Sequence, residues 1–253
     1  MRSPVDPDLK LPSARELPCS DETPVDNEDQ NLLPNLLLQL LIDLWADRLD
    51  WFFGVDMGIY HTTGQNHRVP VVPDAFLSLD VERKKSGESR LSYVMWEEDN
   101  TPPILALEMV SQTPGNEYSK KMETYAKLGV LYYAIYHPKF WQRDRHQPFE
   151  VYKLEGDRYR LASTQDPFWM PEVGLGLGRY QATVGNLPLE ILTWYDARGN
   201  RHLTRAEREF ERAEREFERA ERERLAKEQE RLAKERLEAF LRSRGIDPEE
   251  LPE

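Results

Sequence analysis

The run ILALEMV at residues 104–110 constrains the fold more than any other stretch of the sequence. It is apolar almost throughout and lacks the alternation of a strand that faces water on one side. Such a run marks a short central strand covered on both faces, so the chain must supply a layer above the sheet and another below it. Its single charge, Glu108, then lies in the interior. An ionised carboxylate buried there without a partner costs on the order of several kcal/mol. Glu108 therefore needs a cationic side chain, a proton or a metal.

The surrounding segments supply the layers. Residues 31–49 read as a helix whose polar positions Asn35, Gln39, Asp43 and Asp47 recur every four residues, leaving the rest of its surface apolar. Residues 51–61 read as a strand bent at Gly54 or Gly58, followed by a turn at 64–66. Residues 69–79, VPVVPDAFLSL, read as a second strand; its prolines place it at an edge or break it at Asp74. A basic loop with Arg83, Lys84, Lys85 and Arg90 comes next. After the 104–110 strand, a turn at 111–115 leads into a helix over 116–128, stopped by Gly129 as its C-cap. VLYYAIY at 130–136 is a further strand ended by Pro138, and 149–154 with 159–162 form a hairpin around Gly156 and Asp157. The Gly-rich stretch 173–178 reads as turns. This order gives an α/β sandwich with a mixed central sheet.

Composition divides the chain of 253 residues further. Only 39% of residues are hydrophobic and 32% are charged, because 205–238 consists almost wholly of Glu, Arg, Lys and Ala. All six Trp lie before that stretch, enough for a real core. The expected organisation is a mobile lead-in over 1–30, a core over 31–200, a charged helix over 201–243 and a short tail over 244–253. Net charge is −12, yet 205–238 holds 11 basic and 12 acidic residues, so the excess acidity lies elsewhere. An acidic chain has no bulk attraction for nucleic acid, and a polyanion would need a local basic patch or a bridging cation. Cys19 is the lone cysteine, which suits a reducing compartment. The first 30 residues lack an apolar h-region, and LLPNLLLQLLIDLW is too short and too polar to span a bilayer. The expected location is the cytoplasm, with no membrane partner.

In the tail RAEREFE occurs twice in succession, from Arg205 and from Arg212. Ala206, Phe210, Ala213, Phe217 and Ala220 form a seam of period 3.5. Beyond Ala220 the seam shifts to Leu225, Leu232, Leu237, Phe240 and Leu241. Two readings fit: self-association as a coiled coil, giving a homo-oligomer, or a single solvated helix held by pairs such as Glu211–Arg215 and Glu218–Arg222.

The residues that could carry chemistry centre on Glu108. Asp74, at a Pro-Asp step in a neighbouring strand, offers a second carboxylate. A divalent cation, Mg²⁺ or Mn²⁺, would satisfy both, since Mg²⁺ is held by one or two carboxylates plus waters and substrate phosphates. Such a cation can activate water and stabilise charge on a displaced phosphate oxygen. Lys121, in the helix after the Glu108 strand, is placed to orient the water or offset developing charge. The alternative is structural: Pro-Asp is a common turn dipeptide, and a strand Glu can simply meet a Lys or Arg. Asp56 could approach the site. His61, His67, His137, His146 and His202 show no metal-ligand spacing. Lys139, Arg143, Arg145 and His146 could join Arg83, Lys84 and Lys85 in guiding a phosphate backbone, or be plain solvated loops. Trp141, Trp169 and Trp194 could stack on bases, with packing the better reading.

VVPDAFLSLD (71–80), ILALEMVS (104–111), EYSKKMETYAKLGVLYYAIYHP (117–138) and FEVYKL (149–154) together resemble the Uma-two family of restriction-endonuclease-like bacterial proteins, within the PD-(D/E)XK nuclease superfamily. The specific part is Lys121, Tyr125, Gly129 and Val130, followed by the aromatic strand. The resemblance implies an α-β-β-β-α-β core, Asp74 and Glu108 as metal ligands with the carbonyl of residue 109, and hydrolysis of nucleic-acid phosphodiesters, DNA first. The superfamily signature has a lysine two residues after the second acid, where this chain has Val110. The resemblance implies that Lys121 substitutes, with Glu117 as a possible further acid. The rival expectation is an inactive nuclease-fold scaffold that assembles through its coiled coil.

Overall fold

Alternation along each strand builds a sheet with two buried faces. The strands are β1 (Trp51–Val55), β2 (Ile59–Tyr60), β3 (Ala75–Leu79), β4 (Tyr93–Val94), β5 (Leu105–Met109), β6 (Tyr132–Tyr136), β7 (Phe149–Glu155) and β8 (Arg158–Ser163). Six of them form the main sheet in the order β1-β3-β5-β6-β7-β8. Within this sheet β5 and β6 pair in parallel and the other neighbours antiparallel, so it is mixed. The computed structural model of the chain describes residues 11–18, 27–64, 66–111, 116–139 and 141–245.

Trp51, Phe53, Leu77, Leu105, Leu107 and Tyr136 face one side, where helix α1 (Glu28–Leu44) packs through Leu33, Leu37, Leu40 and Leu41. Phe52, Phe76, Ala106, Tyr133 and Ile135 face the other, where helix α2 (Met122–Leu128) packs through Tyr125 and Leu128. All five residues of β5 are buried, as a strand covered on both faces requires. Glu108 alternates with Leu107 and Met109 and so points to the α2 side. Helix α1 starts at Asn27, whose Oδ1 accepts from the N–H of Asp29 and Gln30 at 3.0 and 3.2 Å. It ends at Leu44 rather than near 49. The chain turns there and sets Trp45 edge-on against Trp51, ring centroids 5.4 Å apart.

Three further findings differ from the sequence reading. In the stretch 173–178 only Val173 and Gly174 lie in a turn: Leu175–Val184 is a ten-residue strand, β10, between β9 (Phe168–Met170) and β11 (Leu187–Tyr195). This antiparallel sheet shares the α1-side core through Leu175, Leu177, Leu192 and Trp194. Glycine serves there because neighbours come close. A Cβ on Gly178 would stand 2.4 Å from Asp166 Oδ1 and 2.7 Å from Pro167 Cα. Secondly, residues 11–18 lie within the expected mobile lead-in but are packed: Leu17 is buried with Tyr60 and Val94, and Trp96 Nε1 donates to Pro12 O at 2.9 Å. The rest of 1–26, Cys19 included, lies outside the described residues. Thirdly, the bend expected at Gly54 or Gly58 falls at Asp56, which has φ 47°, with β1 and β2 on either side.

The chain divides into two compact units after His202. The second contains α4 (Arg205–Ser243), a 39-residue helix without a buried residue. Thr204 opens it in a capping box: its N–H donates to Glu207 Oε2 at 2.8 Å, and its Oγ1 accepts from the Glu207 N–H at 3.2 Å. A short helix, α3 (Trp141–Asp144), precedes β7. Among the described residues no helix is long and apolar enough to cross a membrane.

Gly54 lies opposite Phe76 in the β1–β3 ladder, and a Cβ there would stand 2.2 Å from the Phe76 ring. Gly54→Ala therefore overpacks a buried contact and should cost about 1–3 kcal/mol in urea unfolding. Phe76→Leu in the same chain should recover part of that loss; a double variant no more stable than Gly54→Ala would reject this account.

Candidate active site

The β3–β5 register brings the two acids together. Ala75 pairs with Leu107, so one step further Asp74 stands opposite Glu108. Cross-strand neighbours share a face, with Cβ atoms about 4.5–5.5 Å apart. Pro73 lacks an N–H for the ladder, β3 begins only at Ala75, and the carbonyl of Val71 in the preceding segment accepts from the N–H of Ile59 at 2.8 Å. Asp74 Oδ2 accepts from the N–H of Met109 at 2.6 Å, and its main-chain carbonyl accepts from the N–H of Asp56 at 3.1 Å.

The third group comes from the segment after β5. Residues Glu117–Lys121 form a π-helical turn that leads directly into α2. Turns of this kind insert one extra residue and recur at functional sites. Asn116 precedes the turn in the left-handed conformation, φ 69°, and its carbonyl accepts from the N–H of Lys121 at 3.1 Å. Lys121 and Tyr125, four residues apart, project from one side. Lys121 Nζ donates to Glu108 Oε2 at 2.8 Å and to Val72 O at 3.2 Å. The Tyr125 hydroxyl donates to Glu108 Oε1 at 2.6 Å. Both oxygens of the buried carboxylate thus meet a donor, which meets the requirement the sequence posed. Gly129, φ 85°, closes α2 by donating to the carbonyls of Tyr125 and Ala126.

The electrostatics follow from burial. Desolvation and the neighbouring Glu108 carboxylate push Asp74 well above the usual carboxylate range, against the pull of the Met109 N–H and of Lys121. Burial also raises Glu108, against Lys121 and Tyr125. Burial pulls Lys121 down, but Glu108, Asp74 and Glu117 outweigh it and leave the ammonium favoured. Burial and Glu108 push the Tyr125 hydroxyl far up, so it stays a donor.

Other candidates fall elsewhere. Glu117 is buried on the turn that carries Lys121, and its carbonyl accepts from the Tyr133 hydroxyl at 2.8 Å. Asp56 is exposed and meets Asp74 through its main chain. The basic loop is largely engaged: Arg83 lies over the Trp51 ring, Lys85 donates to Glu97 O, and Arg90 pairs with Glu98 at 2.8 Å. In the second cluster, Lys139 pairs with Asp29 at 2.9 Å and His146 Nδ1 lies 3.3 Å from Glu150. Trp194 is fully buried and donates to Leu37 O at 3.0 Å, a core role. The sequence reading missed Tyr125 as the second donor to Glu108; its spacing of four from Lys121 was the available signal. It also missed Gln30, whose Nε2 donates to the Met109 carbonyl at 3.2 Å, a contact with no local signature.

The family comparison agrees with the resemblance. The family model Uma2, described as "Putative restriction endonuclease", matches residues 21–185, more than half of the chain. The chain belongs to that family. A structural neighbour is a "putative nuclease belonging to DUF820" from Anabaena variabilis, 12% identical, with a TM-score of 0.42. The match covers 59% of this chain and 75% of the other. No curated protein matches.

Breaking the pair should expose what it holds. Lys121→Ala leaves Glu108 buried without its cation and should cost about 2–3 kcal/mol in chemical unfolding. Tyr125→Phe should cost about 1–2 kcal/mol. Glu108→Gln combined with Lys121→Met should recover much of the Lys121→Ala loss, and failure to do so would place the cost outside the pair.

Proposed function

We propose that the chain is a divalent-metal-dependent nuclease that hydrolyses nucleic-acid phosphodiesters, with Asp74 and Glu108 as metal ligands and Lys121 as the catalytic cation. The observation that carries this reading is the convergence of Lys121 on Glu108, with Nζ 2.8 Å from Oε2, from the helix after the strand. That geometry offers a cation where Val110 stands in the usual lysine position.

The donor set fits a hard cation. Two neighbouring carboxylates, each raised by burial, stand beside a single lysine, and a divalent cation would take the place of the proton that burial favours there. Among the described residues no group of three or more His, Cys, Asp or Glu is arranged to hold a metal. Two carboxylates with a main-chain carbonyl, water and phosphate are the usual donors of Mg²⁺ or Mn²⁺, which separates this site from a tighter protein cage. When bound, such an ion supplies an activated water and offsets charge on the leaving oxygen. The chain's own groups do the rest. Met109 N–H fixes Asp74, Tyr125 fixes one oxygen of Glu108, and Val72 O restrains the Lys121 ammonium. Held in this way by Glu108 and Val72 O, Lys121 keeps one N–H with which it can orient the attacking water.

A second reading has its own support. Glu108 already meets two donors, and most cations of both basic loops are engaged within the protein. These features favour a scaffold that keeps the nuclease fold without turnover. Two measurements separate the readings. Mn²⁺ titration by calorimetry should show binding that is lost in Asp74→Asn and Glu108→Gln. A plasmid-nicking assay should show Mg²⁺- or Mn²⁺-dependent cleavage that falls at least 100-fold in Lys121→Ala. Wild-type protein that neither binds Mn²⁺ nor nicks DNA or RNA sinks the nuclease reading.

A further inference from the structure

Helix α4 leaves Phe210, Phe217, Leu225, Leu232 and Phe240 exposed, at 70, 67, 54, 39 and 56%. Their successive spacings of 7, 8, 7 and 8 make a repeat of 15 residues, spanned twice. The shift beyond Ala220 is then the second half of a longer period. A repeat of 15 residues over four turns gives about 3.75 residues per turn, above the 3.6 of a straight helix. A seam of that period drifts slowly around the helix and stays in contact with a partner through a right-handed supercoil. The five side chains extend along about 45 Å of helix.

We infer that α4 pairs with α4 of a second copy of this chain as an antiparallel two-stranded coil centred on Leu225. Charges on the seam set the direction. Ala206, Glu221 and Arg236 share one seam position, each 15 residues from the next. A parallel pair in register stacks Glu221 on Glu221 and Arg236 on Arg236, like charges at the contact. An antiparallel pair about Leu225 brings Arg236 level with Glu214 of the second copy and Glu221 level with its Gln229. The same register sets Phe210 against Phe240 of the second copy and places Phe217 beside its Leu232. Leu225 meets its own counterpart. Ion pairs within the helix, such as Arg219–Glu223 and Arg231–Glu228, leave this stripe uncovered. The inference is independent of nuclease activity.

Cross-linking of the full chain in a Cys19→Ser background tests it. Under mild oxidation Leu225→Cys should cross-link with itself. Phe210→Cys should cross-link when mixed with Phe240→Cys and fail to do so alone. Self-cross-linking of Phe210→Cys would mean a parallel pair and overturn the inference. A wild-type chain that remains a monomer in light scattering at about 100 µM would overturn it as well. Arg236→Glu should weaken dimerisation about tenfold, and adding Glu214→Arg to the same chain should restore it. A double variant that stays weak contradicts the antiparallel register.

Discussion

The Glu108 carboxylate ties together elements that are far apart in the sequence. Its strand is buried on both faces, so solvation is denied it, and each of its oxygens takes a donor from the following helix. Lys121 carries the link onward to Val72, ahead of β3, and Asp74 closes it through the Met109 N–H. The segment before β3, the end of β5 and the start of α2 are thus held at one point. A hydrophobic residue at 108 would free all three from that demand, and buried ion pairs rarely outperform good apolar packing. Keeping an acid there costs stability that a purely structural strand has no need to lose. This is the physical ground for reading the cluster as a site.

Much of that cluster was legible because its geometry is local. A contiguous apolar run identified β5, a Pro-Asp step identified the break before β3, and a helix within a dozen residues of Glu108 had to return across the same face. Lys121 follows from that return. Tyr125 follows from Lys121 by helical periodicity. The π turn at Glu117–Lys121 was not legible, because one extra residue in a turn leaves no mark on composition.

The second sheet was hidden for the opposite reason. Gly176 and Gly178 make β10 look like a run of turns, yet they are glycines because Tyr195 approaches from β11 and Pro167 from the bend just before β9. That closeness is tertiary. One local signal was available: Gly185 and Asn186, φ 56° and 67°, form the two-residue loop of the β10–β11 hairpin. The packing of 11–18 was hidden in the same way, since Pro12 and Pro18 give up only carbonyl groups, to Trp96 and Tyr60. A segment rich in proline and acid reads as mobile unless its distant partners are known.

Charge shows the same division between what is local and what is not. The net charge of −12 was plain in composition, and so was a set of basic residues that could answer a phosphate backbone. Composition cannot say where those residues spend their charge. Arg90 lies almost wholly buried on Glu98, Arg83 over Trp51, and Lys139 on Asp29. With Arg90 and Arg83 turned inward and the exposed Lys139 paired to Asp29, these cations offer little field with which to draw in a polyanion. Lys121 is committed to Glu108 in turn. In the proposed reaction, attraction for phosphate must therefore come from a cation brought to Asp74 and Glu108 rather than from the protein surface. In that proposal the two carboxylates would act through the cation they hold, since the bulk charge of the chain repels a polyanion.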